Sequence, residues 1–363
     1  MEKRAYNFNA GPAALPLEVL KQAQEELVDY RGIGMSIMEI SHRSKQYEQI
    51  NDEAQSLVKE LLGVPDGYEV LFLQGGASTQ FATIPMNFLR SGKTAGYVQT
   101  GSWSDKALKE AKLFGETYIA ASGEASRFRS IPPLEQIEVR PDAAYIHITS
   151  NETIAGSQYA AYPDTGSVPL IGDLSSDILC RPIDVSKFGL IYAGAQKNLG
   201  PSGVTLVIIR EDMLELAADK QVPVMFRYKT HAEKKSLYNT PPVYSVYIMN
   251  LVLQWVKRNG GAQAMERMNR EKSKLIYDAI DESGGFYKGL VEPGSRSLMN
   301  ITFALENAEL EKQFIEESEL EGFVGLKGHR DVGHLRASAY NAVPYESCKA
   351  LADFMKEFQR KNG

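Results

Sequence analysis

Seven short apolar runs set the strongest limit on what this chain can fold into. Glu69–Leu73, Ala95–Gln99, Thr117–Ala120, Ala144–Thr149, Pro169–Gly172, Leu190–Gly194 and Thr205–Ile209 are mostly rich in β-branched or other apolar side chains, with turn residues after them. Runs of that kind read as buried strands. Helical patterns lie between many of them, and the alternation implies an α/β fold around a mostly parallel seven-stranded sheet flanked by helices.

The helical stretches give the organisation. Leu17–Tyr30 opens behind Pro16 with Leu17, Leu20, Leu27 and Val28 on one side, and Gln46–Leu62 stops at Gly63 and Pro65. A third helix follows Gly75-Gly76-Ala77-Ser78 and runs to Phe88; Tyr247–Asn259 ends at Gly260-Gly261. Beyond that point long charged helices (Met265–Ser283, Ala308–Glu317, Tyr345–Asn362) flank short strands near Asn300–Phe303 and His334–Ala337. This change of texture places a boundary near residue 260, with a large unit over 16–259 and a small α+β unit made of 1–15 and 260–363. A length of 363 residues fits two domains at roughly 100–200 residues each.

Charge and cysteine content exclude several classes. The formal net charge is −6 and no long Lys or Arg run offers a footprint for nucleic acid. An anion bound here would therefore need a local cationic cluster. Cys180 and Cys348 are the only cysteines, too few for a disulfide framework, which fits a reducing compartment. The N-terminal MEKRAYNFNAGPAALP has no apolar core of a signal peptide, and no apolar run reaches the roughly 20 residues of a membrane span. A cytoplasmic location is expected.

The most informative stretch is Phe188–Arg210, FGLIYAGAQKNLGPSGVTLVIIR, in which Lys197 stands between two apolar strands. Burying an ammonium is costly. Converting it to an imine is one solution, since a lysine with a lowered pKa is a good nucleophile toward an aldehyde and a good proton shuttle afterwards. Taken alone, the segment fits a loop lysine reaching solvent equally well. Asp173 shifts the balance. It ends the strand Pro169–Gly172 one structural unit before Lys197, at the edge where open α/β sheets bind ligands. Facing a pyridine nitrogen, a carboxylate there would keep that nitrogen protonated; alone, such an Asp is more often a helix cap. Gly75-Gly76-Ala77-Ser78-Thr79 follows a strand and opens a helix, where backbone N–H groups favour an anion. It matches neither a Walker A loop nor a dinucleotide fingerprint. Trp103, in the polar loop Thr100–Ser104, could stack on a flat ring, although a lone Trp more often simply packs.

In this order, the Gly-Gly-Ala-Ser loop, the aromatic residue, the strand-end Asp and the Lys resemble the fold-type I pyridoxal-phosphate enzymes. Asn7-Phe8-Asn9-Ala10-Gly11-Pro12, Ser41-His42-Arg43-Ser44, Ala195-Gln196-Lys197-Asn198 and Gly328-His329-Arg330 narrow the resemblance, over nearly the whole length, to the phosphoserine aminotransferases of the class-V aminotransferase family. The resemblance implies pyridoxal 5'-phosphate as cofactor, with Lys197 forming its Schiff base and moving protons, Asp173 pairing with the ring nitrogen and Trp103 stacking on the ring. It implies Thr153 at the phenolic oxygen and Ala77, Ser78 and Gln196 at the phosphate. Asn239 and Thr240 would reach that phosphate from a second subunit, making an obligate homodimer with active sites at the interface. Some members carry an arginine in the Gly-Gly loop where this chain has Ser78. Implied substrates are 3-phosphohydroxypyruvate with L-glutamate, and phosphoserine with 2-oxoglutarate; some members also use phosphorylated hydroxythreonine in pyridoxine synthesis. Arg336 would clamp the α-carboxylate bidentately, and His42, Arg43, His329 and Arg330 would take the substrate phosphate. That last assignment requires His42-Arg43 to converge with the run His329–Arg336.

Three rivals are open. A cysteine desulfurase-like enzyme shares the fold but needs a mobile thiol, and neither Cys180 nor Cys348 lies in a flexible Gly/Ser loop. An aminotransferase using alanine or serine with glyoxylate would not require the His-Arg pairs. A catalytically silent α/β binding protein would take up no cofactor.

Overall fold

The computed structural model describes residues 4–217, 221–330 and 333–363; Asp331 and Val332 of the cationic run lie outside them. All seven expected strands form and join one sheet, in the order Tyr68–Leu73, Thr205–Arg210, Leu190–Gly194, Leu170–Asp173, Ala143–Thr149, Thr94–Gln99, Glu116–Ser122. Only Thr205–Arg210 runs against its neighbours, both of them. Apolar side chains alternate between the two faces: Val70 and Phe72 enter one core, Leu71 and Leu73 the other. A strand buried on both faces reads as a continuous apolar run, and that is why the EVLFL segment shows no polar alternation.

The parallel arrangement decides where chemistry can happen. Leu73, Gln99, Thr149, Asp173 and Gly194 all end their strands at the same edge of the sheet. The chain emerging from each end therefore meets the others there, in the crevice where open α/β sheets hold ligands.

A further core is built from Phe8 and Ala14 together with Ile276, Ile301, Phe303, Phe314, Leu335, Leu351 and Phe358. Its sheet pairs Lys288–Gly289, Asn300–Ala304 and Leu335–Ser338 in antiparallel fashion, and Tyr6–Asn7 pairs in parallel with Phe323–Val324. The helix Gly261–Asp281 bridges the cores, with Met265 in the first and Ile276 in this one.

Three local expectations change. The first helix stops at Glu25 instead of Tyr30, because Arg31 and Gly32 take left-handed conformations and Asp29 accepts from the Gly34 N–H, closing a turn. Glycines 260 and 261 initiate the following helix as well as ending the preceding one. Trp103 sits in the first turn of the helix Ser102–Ala111, not in a loop.

Candidate active site

The helix Gly76–Phe88 starts with Gly75 at φ +95°. A Cβ on Gly75 would lie 2.1 Å from the Thr79 hydroxyl, so both the conformation and the close approach require glycine. No side chain caps this helix and no acidic residue occupies its first turn. Its first N–H groups and the positive end of its dipole are left for an anion.

The second helix at this edge is capped very differently. Glu152, fully buried, accepts from the backbone N–H groups of Trp103 and Ser104 at 3.2 and 2.9 Å and from the Thr100 hydroxyl at 3.3 Å. Burial pushes the Glu152 carboxyl up, and the Ser104 N–H and side chain with the Trp103 N–H oppose the shift. The cap fixes the turn that carries Trp103. The indole ring lies 5.5 Å from the Lys197 amine, centroid to Nζ.

Lys197 follows the strand Leu190–Gly194 in the turn Ala195–Gly200. By surface area it is only half-buried, but its amine is deep enough that burial brings its pKa down to about 8. Asp173 and Glu152 oppose that shift and Arg336 adds to it. Nζ donates to the Thr153 hydroxyl at 2.6 Å. The N-terminal segment packs over the lysine, with Ala13 N–H donating to Gln196 O at 2.9 Å and a Cβ on Gly11 only 3.4 Å from Lys197 Cγ.

Asp173 is buried. Its Oδ1 accepts from the Ser175 N–H at 2.9 Å and the Ser175 hydroxyl at 2.6 Å, and Ser175 Oγ in turn accepts from Gly194 N–H at 3.0 Å. Burial pushes its carboxyl up; Ser175, Lys197 and the Tyr192 phenol pull it back. The sequence signal for Ser175 is Asp-Leu-Ser, the pattern in which an Asp side chain bonds two residues on. Nothing in the sequence pointed to the cap by Glu152, whose partners lie about fifty positions away.

One cavity of about 190 Å³ collects these groups: Gly75, Gly76, Ala77, Ser78, Trp103, Thr153, Asp173, Gln196 and Lys197, with Thr149, Asn151, Ser175 and Ser176. Arg336 stands beside it, its Nη1 donating to Thr153 O at 3.1 Å. Arg336 Nε is buried without a hydrogen-bond partner, an open donor of the kind a carboxylate satisfies.

The remaining expected residues do not line this cavity. His42 is buried in the turn before the helix Lys45–Leu62, with Nε2 unpaired, and Arg43 is exposed. Arg330 is exposed and His329 half-buried; His334 turns away to Glu311 at 2.8 Å. Asn239 lines a neighbouring cavity of about 310 Å³ together with Gln74, Gly75 and Thr79, and Thr240 O accepts from Gln74 Nε2 at 2.9 Å. Both cysteines are fully buried, and burial raises both thiols, that of Cys348 to about 12, so neither is poised as a nucleophile.

The donor set fits pyridoxal phosphate: an amine, a buried carboxylate, an aromatic face and an uncapped helix terminus around one small cavity. Comparison with known proteins agrees. A family model described as aminotransferase class-V matches residues 5–351. A phosphoserine aminotransferase of Niallia circulans is 63% identical over 363 residues, covering all of both chains. The solved phosphoserine aminotransferase of Bacillus circulans subsp. alkalophilus superposes with a TM-score of 0.98 at 63% identity, covering 99% of each chain. That of Trichomonas vaginalis, described with PLP bound, gives 0.92 at 38% identity over 97% of this chain and 100% of its own. With whole-length identity far above what fold similarity alone would give, the chain belongs to the class-V aminotransferases, in the phosphoserine aminotransferase family.

Proposed function

We propose that the chain transfers an amino group reversibly between L-glutamate and 3-phosphohydroxypyruvate, giving O-phospho-L-serine and 2-oxoglutarate for serine biosynthesis. The observation that carries this reading is the single cavity joining the Lys197 amine, Asp173, Trp103 and the uncapped helix terminus.

When bound, pyridoxal phosphate supplies an electron sink for charge at the substrate's Cα and carries the amino group between the two half-reactions. Lys197 would hold it through its aldehyde carbon. Asp173 would face the ring nitrogen, Trp103 the ring, Thr153 the phenolic oxygen, and Ala77, Ser78 and Gln196 the phosphate. The Lys197 amine, when free, would take the proton from the substrate's Cα. A pKa near 8 suits that task, since a useful fraction of the amine is neutral close to neutral pH. One product leaves before the second substrate enters, so the kinetics are ping-pong.

Arg336 would bind the α-carboxylate through the donors that its contact with Thr153 leaves open. Lys in its place keeps the charge but not the two-pronged geometry. Arg336→Lys is expected to raise KM for glutamate and phosphoserine alike by about 10-fold or more; an unchanged glutamate KM would remove Arg336 from this role.

The substrate phosphate would fall to His42, Arg43, His329 and Arg330, and the active unit would be a homodimer. Two features support this. Those cations are not among the residues lining the Lys197 cavity in one chain, which fits some of them reaching it from a second copy. Val224, Met225, Phe226 and Tyr238 also expose apolar surface next to Asn239, where Asn239 and Thr240 could cross to the other copy's cofactor phosphate. The division into 16–259 and 1–15 with 260–363 is supported by the separate core around Phe303 and Phe314. A cytoplasmic location is supported by two unpaired, buried cysteines; no helix among the described residues is long and apolar enough to cross a membrane.

Turnover of phosphoserine against serine, each with 2-oxoglutarate, tests the substrate. A site with polar groups built for the phosphate should favour phosphoserine in kcat/KM by at least about 100-fold. Equal values would overturn the phosphate assignment and favour an alanine- or serine-using transaminase.

A further inference from the structure

Lys272 is buried to 1% exposure inside the helix Gly261–Asp281, and nothing in the reaction as described uses it. Its amine donates to three backbone carbonyls, Tyr340 O at 2.7 Å, Val343 O at 3.1 Å and Asn341 O at 3.4 Å. Among the described residues no carboxylate lies within ion-pair reach of it. Burial brings its pKa down to about 8, the mark of an ammonium held where it is poorly solvated. A methionine of similar length would fill the space without that penalty, so the geometry that the charge imposes is the feature to explain.

The clamped segment is the tight turn Tyr340–Val343, closed by Val343 N–H to Tyr340 O at 2.9 Å. It directly follows the strand Leu335–Ser338, which carries Arg336. Its other side is tied to the lysine loop twice. The Asn341 N–H donates to Asn198 Oδ1 at 3.0 Å, and Asn198 is the neighbour of Lys197. The Tyr340 hydroxyl donates to Ala10 O at 2.8 Å, next to Gly11, which packs on Lys197 Cγ. The Asn341 side chain is fixed as well, donating to Leu179 O at 3.0 Å and accepting from Asn269 at 2.8 Å, one helical turn before Lys272.

We propose that Lys272 is a positioning residue: by gathering the three carbonyls of the turn 340–343, it sets the separation between the Arg336 guanidinium and the Lys197 amine. This rests on the aminotransferase reading above, in which both groups must engage the same amino acid. Neither Lys272 nor the turn 340–343 is among the residues lining the Lys197 cavity. Loss of the clamp lets the Arg336 strand shift against the lysine loop, and an amino acid whose carboxylate must meet Arg336 while its Cα stays within reach of Lys197 binds less well.

The test compares the holoenzyme with Lys272→Met and with Ile276→Val, a core change on the same helix that removes no hydrogen bond to the turn. Lys272→Met should raise KM for phosphoserine and 2-oxoglutarate about 10-fold while kcat falls less, and should speed hydrogen exchange at Asn341 N–H and at residues 335–338. Ile276→Val should do neither. A KM shift no larger than in Ile276→Val, or unchanged exchange in the turn, would overturn the proposal. If Lys272→Met does not accumulate folded, Lys272→Gln, which keeps two donors without the charge, is read by the same two measurements. Should the wild-type protein turn over no phosphoserine, the aminotransferase reading fails, and exchange in the turn then decides the clamp by itself.

Discussion

Lys197→Ala is expected to lower transamination by at least about 1,000-fold, because in the proposed mechanism one substitution removes both the covalent anchor and the base that works at Cα. The loss should fall on kcat and kcat/KM together, as expected for a group whose interactions matter in the transition state. Added small amines should recover part of the rate by supplying a free base, whereas they leave wild type unaffected. Single-turnover rates with phosphoserine, measured with and without methylamine, check both statements. A variant that kept turnover within 10-fold of wild type would mean that another group moves the proton, and the cavity offers no second amine among its lining residues.

The same lysine carries a stability cost that can be measured without cofactor. In the folded chain burial brings its pKa to about 8 from the ordinary lysine value of 10.5. Below pH about 8 the folded state must hold an ammonium in a site that resists it, while the unfolded chain keeps the ammonium solvated up to about 10.5. The penalty is therefore full at pH 7 and fades as the pH rises through that interval. Removing the charge while keeping the bulk, as in Lys197→Met, makes the cofactor-free protein harder to unfold at pH 7, with the gain shrinking toward pH 10. In the proposed mechanism the poorly solvated amine is kept because the chemistry needs it, a trade of stability for function.

How much of this could be read from the residues follows from the range of the interactions. Strand positions were legible because both faces are buried, leaving runs such as Val70–Leu73 and Thr205–Ile209 without polar interruption. Lys197 and Asp173 were legible because each sits at a strand's end, next to turn residues that mark the edge. The helix carrying Trp103 is hard to see in the sequence because its N-cap is Gly101, which has no side chain, and the Trp103 and Ser104 N–H groups are taken by Glu152 from about fifty positions away. The cationic residues were legible only as residue types. His42, Arg43, His329 and Arg330 come from elements whose approach depends on packing, and within one chain they do not line the cavity. Lys272 was invisible for a related reason: on a charged helix it reads as one more solvent-facing lysine, and only the turn folded over it reveals its burial.

Asp173→Asn should lower kcat by about 100- to 1,000-fold, roughly 3–4 kcal/mol of barrier, with the fold intact. The amide can take the place of the carboxylate against Ser175, since its oxygen still accepts from the Ser175 N–H and hydroxyl. What it cannot do is carry the negative charge that, in the proposed arrangement, would keep a proton on the ring nitrogen, and without that proton the ring would withdraw electrons less well. Asp173→Ala removes the Ser175 contacts too and should bind pyridoxal phosphate less tightly than Asp173→Asn does, which separates the charge from the shape. The charge has a second consequence. Asp173 is the foremost group holding the Lys197 pKa up against burial, so in the cofactor-free Asn variant that amine should titrate lower still, and its reactivity toward a simple aldehyde should rise at pH 7 relative to wild type. An unchanged titration would show that the two groups do not sense one another across the cavity, and the pairing of acid and amine on which the site depends would have to be abandoned.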